Sequence, residues 1–150
     1  MSRLILVSAC LAGVNCRYDG KHSMMEAIAQ LVKEGRALPV CPEVMGGLDI
    51  PRPCCEMITE GEVVKVISKD GTDVTAAFKK GAQKTLALAQ LLEIDTVVLQ
   101  SRSPSCGLGR VYDGTFSGRL VPGNGLTAEL LMKNGIRVIR DEEFETMMVD

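Results

Sequence analysis

A short apolar segment that leads directly into a cysteine-bearing loop recurs three times in this chain of 150 residues. The clearest copy is Thr96 to Gly109, TVVLQSRSPSCGLG, where β-branched and apolar residues lead into Pro104, Cys106 and two glycines. The first half has the composition of a strand that is buried on both faces. Because Pro104 cannot continue a strand and glycine allows tight turns, the strand must end in a loop that holds Cys106.

The other two copies place a cysteine at the same point. The run from Arg3 to Cys10 ends in a cysteine, and so does the run from Ala37 to Cys41. In a parallel sheet the carboxyl ends of neighbouring strands meet at one edge, and ligands bind there. We therefore expect Cys10, Cys41 and Cys106 to converge.

The segments between the strands predict helices and one hairpin. Helical periodicity and end signals predict four helices, from Met24 (capped by Ser23) to about Glu34, from about Val74 to Leu92, from Leu126 or Thr127 to Lys133, and from Asp141 onward. Residues 57–73 predict a small β-hairpin, and Pro42 to Glu56 predicts a long loop. This alternation predicts an α/β fold in a single domain over residues 1–150, with a mostly parallel, Rossmann-like sheet, helices on both faces and a small β-hairpin insertion.

Composition excludes several classes of partner. The net charge is −2, and the chain has no Trp, two Tyr and three Phe, which argues against a nucleic-acid surface built from basic and aromatic residues. No segment approaches the roughly 20 apolar residues that a membrane helix needs. Six cysteines at strand ends and in loops favour metal-binding or reactive thiols in a reducing cytoplasm over a disulfide framework.

The strand-end cysteines are the first candidates for chemistry. A single one would be read as a small buried hydrophobe, but three at equivalent places favour a shared ligand set. Thiolates select iron–sulfur clusters, zinc or cuprous copper, and the spacing matches neither structural zinc nor ferredoxins. Cys16 could replace one of the three or act as a fourth ligand. Cys54 and Cys55 are adjacent, so we do not expect both to bind one cluster, although one could be a reactive thiol.

Charged residues in the same loops are the next candidates. Glu43, two residues after Cys41, is the best general acid or base, although most loop glutamates are merely solvated. Arg17, Arg52 and Arg102 could bind an anion or a carbonyl oxygen, and we assign Arg17 and Arg102 to substrate.

Four segments resemble a known bacterial family. They are SACLAGVNCRYDG (8–20), CPEVMGGLDIPRP (41–53), SRSPSCG (101–107) and YDGTFSG (112–118). Together they are similar to the thiouracil desulfurases, long called a domain of unknown function. The resemblance implies a 4Fe–4S cluster on three cysteines with one iron not ligated by protein. That iron would take the sulfur of a thiolated pyrimidine while water attacks the carbon, giving uracil and sulfide without net redox change.

The resemblance also implies roles for individual residues. Cys10, Cys41 and Cys106 would hold the cluster, Glu43 would transfer the proton, and Ser101 with Ser103 would orient substrate or water. The chain departs from the family pattern at Cys54 and Cys55, where small or proline residues are common, so either thiol could come near the site.

The substrate that we expect is a free thiolated nucleobase of the 2-thiouracil or 4-thiouracil type. The alternatives are thiouridine within tRNA, a non-catalytic cluster-binding sensor or sulfur-trafficking protein, and a structural zinc module. The oligomeric state is left open.

Overall fold

The computed structural model describes residues 4–101 and 103–147. The strands in this part of the chain are β1 (Ile5–Ser8), β2 (Ala37–Val40), β3 (Cys55–Glu60), β4 (Val63–Ser68), β5 (Thr96–Leu99), β6 (Arg110–Tyr112), β7 (Leu120–Pro122) and β8 (Arg137–Arg140). The helices are α1 (Glu26–Lys33), α2 (Pro42–Met45), α3 (Thr75–Leu91), α4 (Leu126–Lys133) and α5 (Asp141–Met147), with a 3-10 helix at Ala9–Ala12. Over the described residues, none of these helices has the length and apolar character needed to cross a membrane.

A four-stranded parallel sheet forms the centre of the molecule, with the strand order β2-β1-β5-β8. Val7 of β1 pairs with Val98 of β5, and Val97 of β5 pairs with Val138 of β8. In each of the two central strands, β1 and β5, the last three of the four residues are buried, as their apolar sequences predicted. The mostly parallel α/β sheet is thereby confirmed.

Helices cover both faces of this sheet because successive side chains of a strand point to opposite sides. On one face Leu6 and Val97 pack with Ala89 of α3 and Leu131 of α4. On the other face Val7, Val98, Ile28 of α1 and Phe144 of α5 form a second cluster. The prediction of helices on both faces is confirmed.

Two antiparallel hairpins lie outside the central sheet. The β3–β4 hairpin is the predicted insertion. The β6–β7 hairpin was not predicted, because strands of three residues are too short to show an alternating pattern.

Two boundaries differ from the prediction. The segment from Pro42 to Glu56 is not wholly a loop, because its first four residues form α2 and its last two, Cys55 and Glu56, belong to β3. Pro42 lies in the first turn of α2, where a missing N–H costs nothing. Helix α1 begins at Glu26 rather than Met24. Ser23 does not cap it, and its Oγ instead accepts a hydrogen bond from Arg17 Nη1 at 2.8 Å.

Helix α2 packs on α3 at a point where neither helix carries a side chain. A Cβ atom on Gly46 would lie 2.0 Å from the carbonyl oxygen of Ala77, and one on Gly81 would lie 1.9 Å from that of Pro42. Only glycine at both positions permits this approach. The contact fixes α2 and its Glu43 against the longest helix of the structure.

Candidate active site

The carboxyl ends of β1, β2 and β5 open into one cavity of about 290 Å³. Cys10 lies in the 3-10 helix after β1, Cys41 directly follows β2, and Cys106 lies in the loop after β5. All three side chains line the cavity. The sheet therefore brings the three strand-end cysteines together at the edge where a parallel sheet binds ligands.

The other three cysteines of the chain line the same cavity, and all six are free thiols. The thiol of Cys16 is in hydrogen-bond contact with the thiols of both Cys10 and Cys41. Cys54 and Cys55 also face it. The departure from the family pattern at these two positions had indicated that either thiol could come near the site.

The cavity environment keeps several of these thiols protonated in the metal-free chain. The hydrogen bond with Cys10 raises the pKa of Cys16 to about 11. The hydrogen bond with Cys16, followed by burial, raises the pKa of Cys41. Burial, followed by the negative charge of Glu43, raises the pKa of Cys106 to about 12. Binding a metal centre to these thiols must therefore release protons.

Two serine hydroxyls shape the loop that carries Cys106. Ser103 Oγ accepts hydrogen bonds from the backbone N–H groups of Ser105, at 3.1 Å, and of Cys106, at 2.7 Å. Ser8 Oγ accepts a bond from Gln100 N–H at 2.9 Å and donates to Cys106 Sγ at 3.7 Å. Ser103 and Ser8 both line the cavity, and sequence reasoning selected only Ser103.

The amino end of α4 also holds the Cys106 loop. The backbone N–H of Leu126 donates to the carbonyl of Pro104 at 2.8 Å, and that of Thr127 donates to the carbonyl of Ser105 at 2.9 Å. The hydroxyls of Ser105 and Thr127 are buried and lie 2.6 Å apart. The first helical N–H groups, which have no partner within a helix, are here satisfied by the loop.

A buried ion pair lies beside the thiols. Glu43, in the first turn of α2, accepts hydrogen bonds at Oε2 from Arg52 Nε, at 3.1 Å, and Arg52 Nη2, at 2.5 Å. The two side chains are only 14% and 7% exposed. Sequence reasoning expected an external anion or carbonyl for Arg52, whereas the structure gives it the carboxylate of Glu43.

The other predicted polar residues are placed differently. Arg17 lines the cavity, but its guanidinium bonds Ser23 and lies 3.4 Å from Asp19. Ser101 also lines the cavity. Arg102 lies outside the described residues.

Ser101 has a carboxylate partner from the far end of the chain. Its hydroxyl and its backbone N–H donate to Asp141, at the start of α5. Burial raises the pKa of this carboxyl, and the hydrogen bond from the backbone N–H of Glu142, followed by those from Ser101, partly opposes the rise. The pair joins the end of β5 to the end of β8.

Glu56 is a site-lining residue that the sequence did not reveal. It is 7% exposed, and its Oε1 accepts hydrogen bonds from the backbone N–H groups of Gly114, at 2.9 Å, and Phe116, at 3.2 Å. Tyr112, just before this turn, also faces the cavity. Glu56 therefore anchors the YDGTFSG segment against β3.

The cysteine thiols that line the cavity are suitable ligands for a soft metal centre with more than one metal ion. Within the described residues, no group of three or more His, Cys, Asp and Glu side chains is arranged to hold a single metal ion. The thiols instead surround a cavity, as a multi-iron cluster requires, and thiolates are the ligands that iron–sulfur clusters use. The thiols at this cavity thus fit the ligand chemistry of an iron–sulfur cluster.

Comparison with known proteins agrees with this geometry. The family model described as 2-thiouracil desulfurase matches residues 5–143, and the chain belongs to that family. It is 44% identical to the "Uncharacterized protein YbbK" of Bacillus subtilis (strain 168) over 151 residues, which covers 97% of this chain and 100% of the relative. It is also similar to the solved structure of the [4Fe-4S]-dependent thiouracil desulfidase TudS, at 42% identity and a TM-score of 0.87, over 98% of this chain and 96% of that one. The resemblance drawn from the four sequence segments is confirmed.

Proposed function

We propose that this chain is an enzyme that removes the sulfur of a thiolated pyrimidine, of the 2-thiouracil or 4-thiouracil type, to give uracil and sulfide without net redox change. The observation that carries the proposal is the meeting of three strand-end thiols and a buried, ion-paired carboxylate in one cavity. Membership of the 2-thiouracil desulfurase family and the likeness to TudS support it.

The cofactor in this proposal is a 4Fe–4S cluster held by Cys10, Cys41 and Cys106. With three protein ligands, one iron has no protein ligand. When bound, the cluster supplies a soft Lewis acid for the departing sulfur. Ser8, which donates to Cys106 Sγ at 3.7 Å, would stabilise the thiolate form of that ligand.

Glu43 is the proton-transfer residue in this proposal. Its carboxylate can take a proton from the attacking water. The low exposure of the Glu43–Arg52 pair keeps bulk water away from it. Glu43 therefore acts first as a base, and the proton that it receives is available for a leaving sulfur or a ring nitrogen.

The hydroxyls on the β5 side would orient the reactants. Ser101 is held by Asp141 and faces the cavity, so its position is fixed before substrate arrives. The oxygen of Ser103 accepts two hydrogen bonds from the backbone of the Cys106 loop. Its hydroxyl proton would donate a hydrogen bond to the substrate or to water. Arg17 lines the cavity and would contact the substrate. Arg102 keeps the substrate-binding role that the sequence predicts.

The size of the cavity supports a small substrate. A volume of about 290 Å³ is just below the range for small-molecule sites, which begins at about 300 Å³. A free base therefore suits it better than a base within folded tRNA. Thiols of this number also need a reducing compartment, and we place the enzyme in the cytoplasm.

The test begins with anaerobic purification, assays of iron and acid-labile sulfide, and incubation with 2-thiouracil. We expect about four irons and four sulfides per chain, loss of thiocarbonyl absorbance, and release of uracil with sulfide. Zinc in place of iron, or a cluster with no turnover of any thiopyrimidine, would contradict the proposal. Equal turnover of thiolated tRNA would contradict the choice of substrate.

The variant Glu43→Gln tests the carboxylate. We expect it to keep iron at the wild-type level and to lose roughly 10²- to 10⁴-fold in kcat, the usual contribution of general acid–base catalysis. Glu62→Gln, which changes an exposed glutamate in the turn between β3 and β4, is the matched control and should behave as wild type. Full activity of Glu43→Gln would remove Glu43 from the mechanism.

A further inference from the structure

We propose that Arg52 is a positioning residue that holds Glu43 by one carboxylate oxygen and presents the other oxygen to the cavity. The inference rests on the proposed function, in which Glu43 moves the proton of the attacking water. It concerns how that carboxylate is kept in one orientation beside the thiols.

Both hydrogen bonds that Arg52 donates to the Glu43 carboxylate arrive at the same atom. Arg52 Nε and Nη2 both donate to Oε2, so the guanidinium covers that oxygen. In the part of the chain that the structure describes, no buried side-chain oxygen or nitrogen lacks a hydrogen-bond partner. Glu43 lines the cavity, and we infer that Oε1, the carboxylate oxygen that receives neither of the Arg52 bonds, is the oxygen that faces it.

Arg52 is itself fixed independently of Glu43. Its Nη1 donates to the carbonyl of Cys16 at 3.2 Å and to that of Asp49 at 3.0 Å. Its backbone N–H donates to the carbonyl of Tyr18 at 2.7 Å. The guanidinium is thus tied to main-chain atoms on two loops before it meets the carboxylate.

These contacts use properties of arginine that lysine lacks. A planar guanidinium carries five N–H donors in a fixed fork, whereas an ammonium is a point charge on a flexible stem. One side chain here spans a carboxylate and two carbonyls at once. A lysine at position 52 would keep the charge and lose the orientation.

The arrangement links the carboxylate to the thiol loop. Cys16, whose carbonyl accepts from Arg52, has its thiol in contact with Cys10 and Cys41. Helix α2, which carries Glu43, begins directly after Cys41. Arg52 therefore connects Glu43 to the Cys16 loop, and these contacts determine the position of Oε1 relative to the proposed cluster ligands.

A double-mutant cycle tests this inference, with wild type, Arg52→Met, Glu43→Gln and the double variant compared. We expect Arg52→Met to lower kcat about 10²-fold, which is the usual cost of a misplaced catalytic group, with KM and iron content close to wild type. In the Glu43→Gln background the same change should alter kcat by about twofold or less, because its effect acts through Glu43. Arg52→Lys should remain as slow as Arg52→Met.

Two further measurements make the result unambiguous. Thermal unfolding of the four metal-free proteins should show that the two changes are non-additive, as expected of side chains in contact. Arg36→Met, which removes an exposed arginine 3.3 Å from Glu34, is the control for loss of an ordinary ion pair and should leave turnover unchanged.

The possible results distinguish a failure of the positioning role of Arg52 from a failure of the proposed function. If Glu43→Gln is slow and Arg52→Met is as fast as wild type, the positioning role is wrong and the function stands. Equal losses from Arg52→Met in both backgrounds, additive effects on unfolding, or loss of iron from Arg52→Met would also overturn the inference. If Glu43→Gln is fully active, the proposed role of Glu43 fails, and the positioning role fails with it.

Discussion

Gly81 of α3 lies directly against the main-chain carbonyl of Pro42 in α2, with no space for a side chain between the two. A Cβ atom at position 81 would be 1.9 Å from the Pro42 oxygen, well inside van der Waals contact. Because α2 follows Cys41 and carries Glu43, this contact sets the position of a proposed cluster ligand and of the proposed base together.

Replacing Gly81 by Ala should destabilise the protein. In a free helix the change from Gly to Ala gains about 1 kcal/mol. Here the added methyl must push α2 away, so we expect a net loss of about 1–3 kcal/mol, the usual cost of overpacking. Urea denaturation of the metal-free chain measures the loss, and iron content measures the displacement of Cys41. Lys80→Ala, at an exposed position of the same helix, is the control. A Gly81→Ala protein more stable than wild type would show that the two helices can separate freely.

Serine substitutions should divide the six cysteines into two groups. Replacement of Cys10, Cys41 or Cys106 should abolish most iron binding, because each removes one of three proposed ligands. Replacement of Cys16, Cys54 or Cys55 should leave iron per chain near the wild-type value. Iron content per chain, measured anaerobically for the six variants, identifies which cysteines are ligands. If Cys16→Ser loses iron as completely as Cys10→Ser, then Cys16 belongs to the ligand set.

The metal-free chain should lose stability in alkaline solution. Burial, followed by the negative charge of Glu43, raises the pKa of Cys55 from its ordinary value of 9.0 to about 11. Between pH 9 and 11 the folded chain keeps a proton that the unfolded chain has released, so stability falls as pH rises through this range. The contribution is fully present below pH 9.

The measurement is the denaturation midpoint from pH 8 to 11 for wild type and Cys55→Ser. The variant lacks the Cys55 proton, so its midpoint should fall less steeply over the same range. Cys16 and Cys106 have raised pKa values as well, and some slope should therefore remain. Identical slopes in the two proteins would mean that Cys55 does not titrate as its surroundings indicate. Ser117→Ala, at an exposed position, should follow wild type.

Replacing Glu56 by Gln should weaken substrate binding more than it slows catalysis. The charged carboxylate accepts two backbone N–H bonds, from Gly114 and Phe116, and such bonds are worth about 1.5–3 kcal/mol each. A neutral amide holds this turn less firmly, and Tyr112 beside it forms part of the cavity wall. Steady-state kinetics with 2-thiouracil should show a raised KM with a smaller change in kcat. A lower kcat at unchanged KM would instead place Glu56 in the chemistry.

Sequence reasoning was most successful where a local pattern determines the structure. The apolar runs before Cys10, Cys41 and Cys106 predicted buried parallel strands, and the strand ends do lie at one cavity. Periodicity over the long helix α3 was equally clear. Each of these signals is contained within a few neighbouring residues.

Contacts between distant segments could not be obtained in the same way. Arg52 and Glu43 are only nine residues apart, but the helical turn of α2 and the loop after it determine that they meet. Glu56 reaches Gly114 across 58 positions, and the Ser101–Asp141 bond joins two strand ends. No periodicity links such residues. Helix α2 was missed because four residues are too few to show a helical pattern.

The placement of every cysteine of this chain in one cavity also has a practical consequence. A reagent that modifies any thiol of the protein, such as an alkylating agent or a mercurial, necessarily acts at the proposed site. The extent of thiol labelling therefore reports the occupancy of the cavity, with no contribution from cysteines elsewhere on the surface. For the same reason, no thiol outside the cavity would compete for an oxidant or a thiophilic inhibitor.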